Sequence, residues 1–244
     1  MKAEIVDVSD GLSKARSIKD KKEIERISKA CEVSGKAGEK IHSMIKAGMT
    51  ERELAGKITS MMRETATGTA FPTIVAFGKN SSRPHHSPTD NRLGKNQFVL
   101  ADFGAKFERY ASDITRTFVF GKADKKMKDM YETVLDAQLQ AIDMVKDGVN
   151  GKDVDKLARG IVEKKYKGKF IHSLGHEVGL SVHDGNRLSS QTDFILKENM
   201  VVTVEPGVYI PSIGGVRIED TILVTKNKAK ILTLAPKELI ELIH

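Results

Sequence analysis

The sequence predicts a mixed helix-and-strand fold made of two related halves. Apolar residues recur at helical spacing in two long stretches, roughly 19–46 and 124–146. A shorter helix follows each, and then come runs rich in Val, Ile, Phe and Thr that read as strands. The succession of helix, helix and strands occurs once before Gly121 and roughly again after it. At 244 residues the chain can bury a sizeable core, as one large domain or two small ones.

Residues 1–17 form a short mixed lead-in, with Ile5, Val6 and Val8 as a brief strand. From Lys19 to Lys46 the helical stripe is Ile24, Ile27, Cys31, Ile41 and Ile45, with Gly35 and Gly38 as weak points or close-packing sites. Gly48 ends this helix, and Thr50 with Glu53 forms a capping box that starts the next, running to about Arg63. Residues 71–77 look like a buried strand, and 78–96 are a polar loop holding Pro84, His85, His86 and Pro88. Val99 to Phe120 reads as two strands around a turn at Gly104 and Lys106–Arg109. Helices follow over about 124–146, stopped by Gly148, and 154–165. Strands and loops fill 170–183, 200–204, 207–210, 216–225 and 229–234, the last two joined as a hairpin around Lys226–Lys228.

The net charge is +7, from 40 basic and 33 acidic residues. Mixed runs such as KDKKEIER read as solvated helix faces, which argues against a nucleic-acid partner. Cys31 is the single cysteine, so an intrachain disulfide is excluded and a reducing compartment fits. No apolar run approaches membrane-spanning length and no signal peptide is visible, so the expectation is a cytoplasmic protein with no membrane contact.

The chemistry lies in acids placed among apolar residues. Asp102 and Asp113, eleven positions apart across a turn, can face one another on paired strands. Two carboxylates close together in an apolar setting repel and lose solvation, and a shared metal ion is the commonest remedy. Glu205 in VVTVEPGVYI and Glu219 in GGVRIEDTILV sit in similar frames, and FIHSLGHEVGL supplies His172 and His176. The two histidines have the spacing of a helical zinc pair, but Ser173, Gly175 and Gly179 argue against a helix there. His176 is the expected ligand and His172 its neighbour behind it. Arg217, two residues before Glu219, shares that strand's face and is expected to orient the acid. Four carboxylates and one imidazole suit two divalent cations. Such a pair lowers the pKa of a bound water and stabilises a developing oxyanion.

The segments ADFGA, SDITRTF, HSLGHEVGLSVHD, VEPGVYIP and GGVRIEDT resemble, in order, those of the metallopeptidase family that contains proline dipeptidases, aminopeptidase P and methionine aminopeptidases. The likeness is to the Xaa-Pro branch and runs from about Ile18 to the end. It implies an α+β "pita-bread" catalytic domain over 18–244, with a curved antiparallel sheet and outer helices. It implies Asp102, Asp113, His176, Glu205 and Glu219 as ligands of two divalent ions, Mn or Co first and Zn or Fe also suited. Asp113 and Glu219 would bridge, and Glu205 would help to move the proton. His85 and His183 resemble residues that contact the substrate and the scissile peptide, and Arg187 one that meets the substrate's carboxylate; His86 has no assigned role.

The resemblance thus implies an exopeptidase that removes the first residue of small peptides with Pro in second place. Relatives of this branch carry a further N-terminal domain, which leaves dipeptide selectivity and a homodimer open. The rival readings are a methionine aminopeptidase and a non-catalytic binding module of the same fold; an intact set of costly buried acids argues against the latter.

Overall fold

The computed structural model describes residues 6–243. Where the sequence suggests a short strand, Val6 and Val8 lie exposed in irregular backbone ahead of helix α1 (Ser9–Ser17), and Ile5 lies outside the described residues. Two apolar residues without a partner strand have no ladder to join. Helix α2 (Lys21–Met44) starts at a capping box, in which Asp20 accepts the Glu23 N–H and Glu23 accepts that of Asp20. The predicted box of Thr50 and Glu53 starts α3 (Glu51–Arg63). Asp124 caps α4 (Lys125–Met144) and Asn150 caps α5 (Gly151–Glu163), three residues before the predicted start.

The strands are β1 (Gly68–Thr69), β2 (Ile74–Phe77), β3 (Gln97–Phe103), β4 (Ala105–Phe107), β5 (Tyr110–Ala111), β6 (Ile114–Phe120), β7 (Gly175–His176), β8 (Arg187–Leu188), β9 (Val201–Val204), β10 (Gly207–Ile210), β11 (Gly214–Arg217), β12 (Glu219–Val224), β13 (Ala229–Ile231) and β14 (Glu241–Leu242). The central sheet runs β13-β12-β6-β3-β2, all antiparallel; β9 also pairs with β12, and β14 adds to β6 in parallel.

Three predicted segments differ. Phe71–Thr73 stay outside the sheet, 170–183 is irregular except for β7, and 216–225 breaks at Ile218 into β11 and β12. The predicted two-strand unit of 99–120 is four strands, because the chain leaves the β3–β6 ladder at Gly104 to build the β4–β5 ribbon and re-enters after Asp113.

The two halves repeat one another. Gly48 and Gly148 both turn the chain at positive φ, 71° and 83°. Their N–H groups bond to Leu93 and Leu196, and the latter leucines donate back to Met49 and Val149. Helices α2 and α3 share one apolar core with β2, β3 and β6. Helices α4 and α5 share another with β9 to β12. Gly35 and Gly38 are close-packing sites: a Cβ there would fall 2.8 Å from the Leu234 carbonyl and 3.0 Å from Ala235.

A Cβ at Gly104 would fall 1.9 Å from the Ser112 carbonyl oxygen, immediately before Asp113. Gly104→Ala therefore destabilises the protein by about 3 kcal/mol in urea titrations, since backbone must move. Gly160→Ala, on α5 with open space around it, stabilises by up to about 1 kcal/mol.

Candidate metal centre

Sheet register brings the acids together. Asp102 on β3 stands opposite Thr115 on β6, and Thr115 stands opposite Glu219 on β12, so the three form one row across adjacent strands. Asp113 lies two residues before Thr115 and shares its face. Its backbone is held by Thr221, which donates to the Asp113 carbonyl at 2.7 Å and accepts its N–H at 3.1 Å. His176 on β7 donates its backbone N–H to Thr203 Oγ1, and Glu205 follows directly after β9. The ligand atoms of Asp113, His176 and Glu219 lie within 4.8 Å of one another. Glu205 Oε1 is 3.3 Å and Asp113 Oδ2 3.5 Å from His176 Nε2.

The proton arrangement of His176 is informative. Its Nδ1 is 3.2 Å from the Glu177 carbonyl, which can only accept, so the hydrogen sits there and the Nε2 lone pair faces the two carboxylates. Lone pair against ionised carboxylate oxygens is repulsive unless a cation or a shared proton stands between them. Asp102 Oδ1, Asp113 Oδ1 and Glu219 Oε1 are also buried without a hydrogen-bond partner among the described residues. The donor set, oxygen-rich with one imidazole, fits divalent ions.

Arg217 differs from the sequence expectation. The break at Ile218 turns its guanidinium to Asp102 rather than Glu219, with Nη2 at 2.5 Å from Asp102 Oδ2. Its Nε donates to Thr115 Oγ1 at 3.1 Å, and Thr115 in turn donates to Glu219 Oε2 at 2.6 Å. Arg217 Nη1 also donates to the Tyr209 hydroxyl, which meets His172 Nε2 at 2.8 Å. His172 Nδ1 donates to Ser173, so Nε2 accepts from Tyr209 and the ring is neutral. Burial holds His172 down at about 3, with the Arg217 charge adding to the effect. His172 thus reaches Asp102 through Tyr209 and Arg217. Thr115 and Tyr209 escape a sequence reading for charged ligands; both stand inside the segments that carry the acids.

These residues floor a cleft of about 370 Å³. Phe71, Pro72, Ile74 and Val182 give it apolar walls, and His85, His183 and Arg187 line its mouth. The His183 ring meets that of His176 edge-on, 4.2 Å between centroids, and burial above all, with the Arg187 charge adding to it, lowers His183 to about 4. Arg187 lies opposite His176 in the β7–β8 pair and makes no hydrogen bond or ion pair among the described residues. His86, by contrast, is buried and binds Glu51 Oε2 at 2.8 Å.

The sequence profile of metallopeptidase family M24 matches residues 25–226. The chain belongs to metallopeptidase family M24. It is 45% identical over 239 residues to a Xaa-Pro dipeptidase of Pyrococcus furiosus, covering 97% of this chain and 69% of that protein. Among solved structures it is similar to the prolidase of Pyrococcus horikoshii (TM-score 0.93, 47% identity, 96% of this chain and 68% of that one). It is also similar to an X-Pro aminopeptidase of Thermotoga maritima (TM-score 0.92, 40% identity, 95% and 66%). The α+β pita-bread architecture expected of an M24 domain is the fold observed here.

Burial and mutual repulsion leave Asp113, Glu205 and Glu219 reluctant to ionise. Asp113 and Glu219 are raised well above the carboxylate range, by burial first and then by neighbouring carboxylates. Burial pushes Glu205 from 4.5 to about 7, with the neighbouring Asp113 carboxylate adding to it. An acid raised in the folded state contributes stability that is complete below its unfolded value and lost as pH rises through the folded one. The three acids therefore draw down the stability of chelated protein between pH 4.5 and pH 7, outnumbering the opposite pull of His172 and His183, and a saturating divalent cation removes that draw. Unfolding scans across this range, with and without metal, check it.

Proposed function

We propose that this chain is a metal-dependent exopeptidase that hydrolyses the N-terminal peptide bond of small peptides with Pro in the second position. The observation that carries the reading is the row of buried acids with unpaired oxygens at the floor of a cleft whose mouth offers two imidazoles and an unpaired guanidinium. That the relatives named above are Xaa-Pro enzymes favours this over a methionine aminopeptidase.

In this reading Asp102, Asp113, His176, Glu205 and Glu219 would hold two divalent ions, Mn or Co foremost. When bound, such ions supply a water of lowered pKa and a Lewis acid for the scissile carbonyl. Arg217 and Thr115 orient Asp102 and Glu219, and His172 supports Arg217 through Tyr209. Glu205, which the family resemblance marks as helping to move the proton, is the group suited to take it and return it to the leaving amine. His183 stays neutral at physiological pH and can donate an N–H to an oxyanion; His85 lines the same cleft. The apolar walls suit a pyrrolidine ring. Cys31, buried and unpaired, suits a cytoplasmic setting.

Asp113→Asn and Glu219→Gln abolish cleavage of Ala-Pro and lower metal content in elemental analysis. Full turnover by chelated wild-type protein would overturn the metal mechanism. Arg187 provides a charge-assisted, bidentate partner for a dipeptide's terminal carboxylate. Arg187→Ala thus raises KM for Ala-Pro about tenfold, the weight of one charge-assisted contact, and affects Ala-Pro-Ala less. A wild-type preference for Met-Ala-Ala over both would assign the chain to methionine aminopeptidase chemistry.

A further inference from the structure

The turn between β7 and β8 carries His183 into the cleft, and a second pair of acids fastens it from behind. Glu177, next to His176, is fully buried. Its Oε2 accepts the Asn186 N–H at 2.7 Å and Asn186 Nδ2 at 3.3 Å, within the same hairpin. Its Oε1 accepts the hydroxyl of Ser17, which lies at the end of α1. Asp184, next to His183, accepts from Arg16 and from the Ser181 N–H. Lys19 is 2% exposed; its Nζ donates to the Ser17 carbonyl and its N–H to Asn199.

These groups fit tightly. A Cβ on Gly179 would fall 2.1 Å from Asp184 Oδ2, and one on Gly185 would fall 2.0 Å from Glu177 Oε2. A carboxylate enclosed this fully is tolerable only when hydrogen-bonded and charge-compensated. The hairpin supplies part of that through Asn186. The rest comes from outside it: the Ser17 hydroxyl bonds Glu177 directly, and the Lys19 ammonium, which makes no ion pair with either acid, adds its charge from nearby. Arg16 is 43% exposed at its side chain, so its ion pair with Asp184 contributes less than the enclosed contacts. Arg16, Ser17, Lys19, Glu177 and Asp184 do not line the cleft, so none is placed to touch a substrate.

We infer that the junction between α1 and α2 clamps the His183 hairpin, and that Ser17 and Lys19 are positioning residues for His183. This assigns a task to residues that precede the segment matched by the family profile, and it rests on the proposed role of His183 in peptide cleavage.

The test compares metal-loaded wild type with Ser17→Ala and Lys19→Met. Hydrogen exchange measured by mass spectrometry is expected to speed up about tenfold or more at amides 178–186, while β3, β6 and β12 stay protected and metal content is unchanged. Turnover of Ala-Pro is expected to fall severalfold in either variant, with no further fall when the same change is made in a His183→Ala background. Unchanged exchange at 178–186, exchange raised equally throughout the sheet, or the same fractional loss of turnover in both backgrounds would overturn the clamp. If the wild type cleaves no Xaa-Pro peptide, the proposed function fails, and the exchange measurement alone decides the clamp.

Discussion

The structure depends on the mutual repulsion of four carboxylates held in one buried pocket. Asp102, Asp113, Glu205 and Glu219 repel one another whenever they ionise, at close range and with little water to screen the charge. Such a group is held only by a scaffold that cannot relax, and the β3–β6–β12 ladder is that scaffold. A slip of one residue in either pairing would turn Asp102 or Glu219 to the opposite face. Arg217 and Thr115 reinforce the register from within, because one guanidinium bonds both the acid on β3 and the hydroxyl on β6 that holds the acid on β12.

The placement of the pocket follows from the repeat. Each half brings its helix pair against its own part of the sheet, and Phe98 and Val119 of the first half pack into the core of the second. The acids lie where the halves meet. Asp102 and Asp113 come from the first, and His176, Glu205 and Glu219 from the second. A cation between them would join the halves, in keeping with the coupling of metal binding to folding.

The rim of the cleft uses one device twice. Glu51, at the start of α3, is fully buried and accepts from the Phe77 N–H, Asn80, His86 and both the N–H and hydroxyl of Thr89. It thereby gathers the loop that carries His85, and His86 has a partner that explains its burial. Glu177 does the same for the loop that carries His183, with Ser17 and Asn186 as its donors. In both cases a buried acid collects the donors of a polar segment, converting it from a flexible connection into a positioned one.

Much was legible in the sequence because it is local or periodic. Thr50 with Glu53, the stripe from Ile24 to Ile45 and the stop at Gly48 are set by neighbours a turn away. The acids in apolar runs were conspicuous because an ionised carboxylate there costs too much without a partner. The ribbon after Gly104 and the irregular course of 170–183 were not legible, since Gly104 and Gly175 answer to backbone crowding from Ser112 and Thr203, and no local signal marks the break at Ile218. Nor could spacing reveal that Arg217 serves Asp102, or that Tyr209 stands between Arg217 and His172. Sequence determined which residues were chemically exceptional. Only the tertiary structure decided which of them meet, because hydrogen-bond partners 100 or more residues apart are chosen by strand register and not by composition.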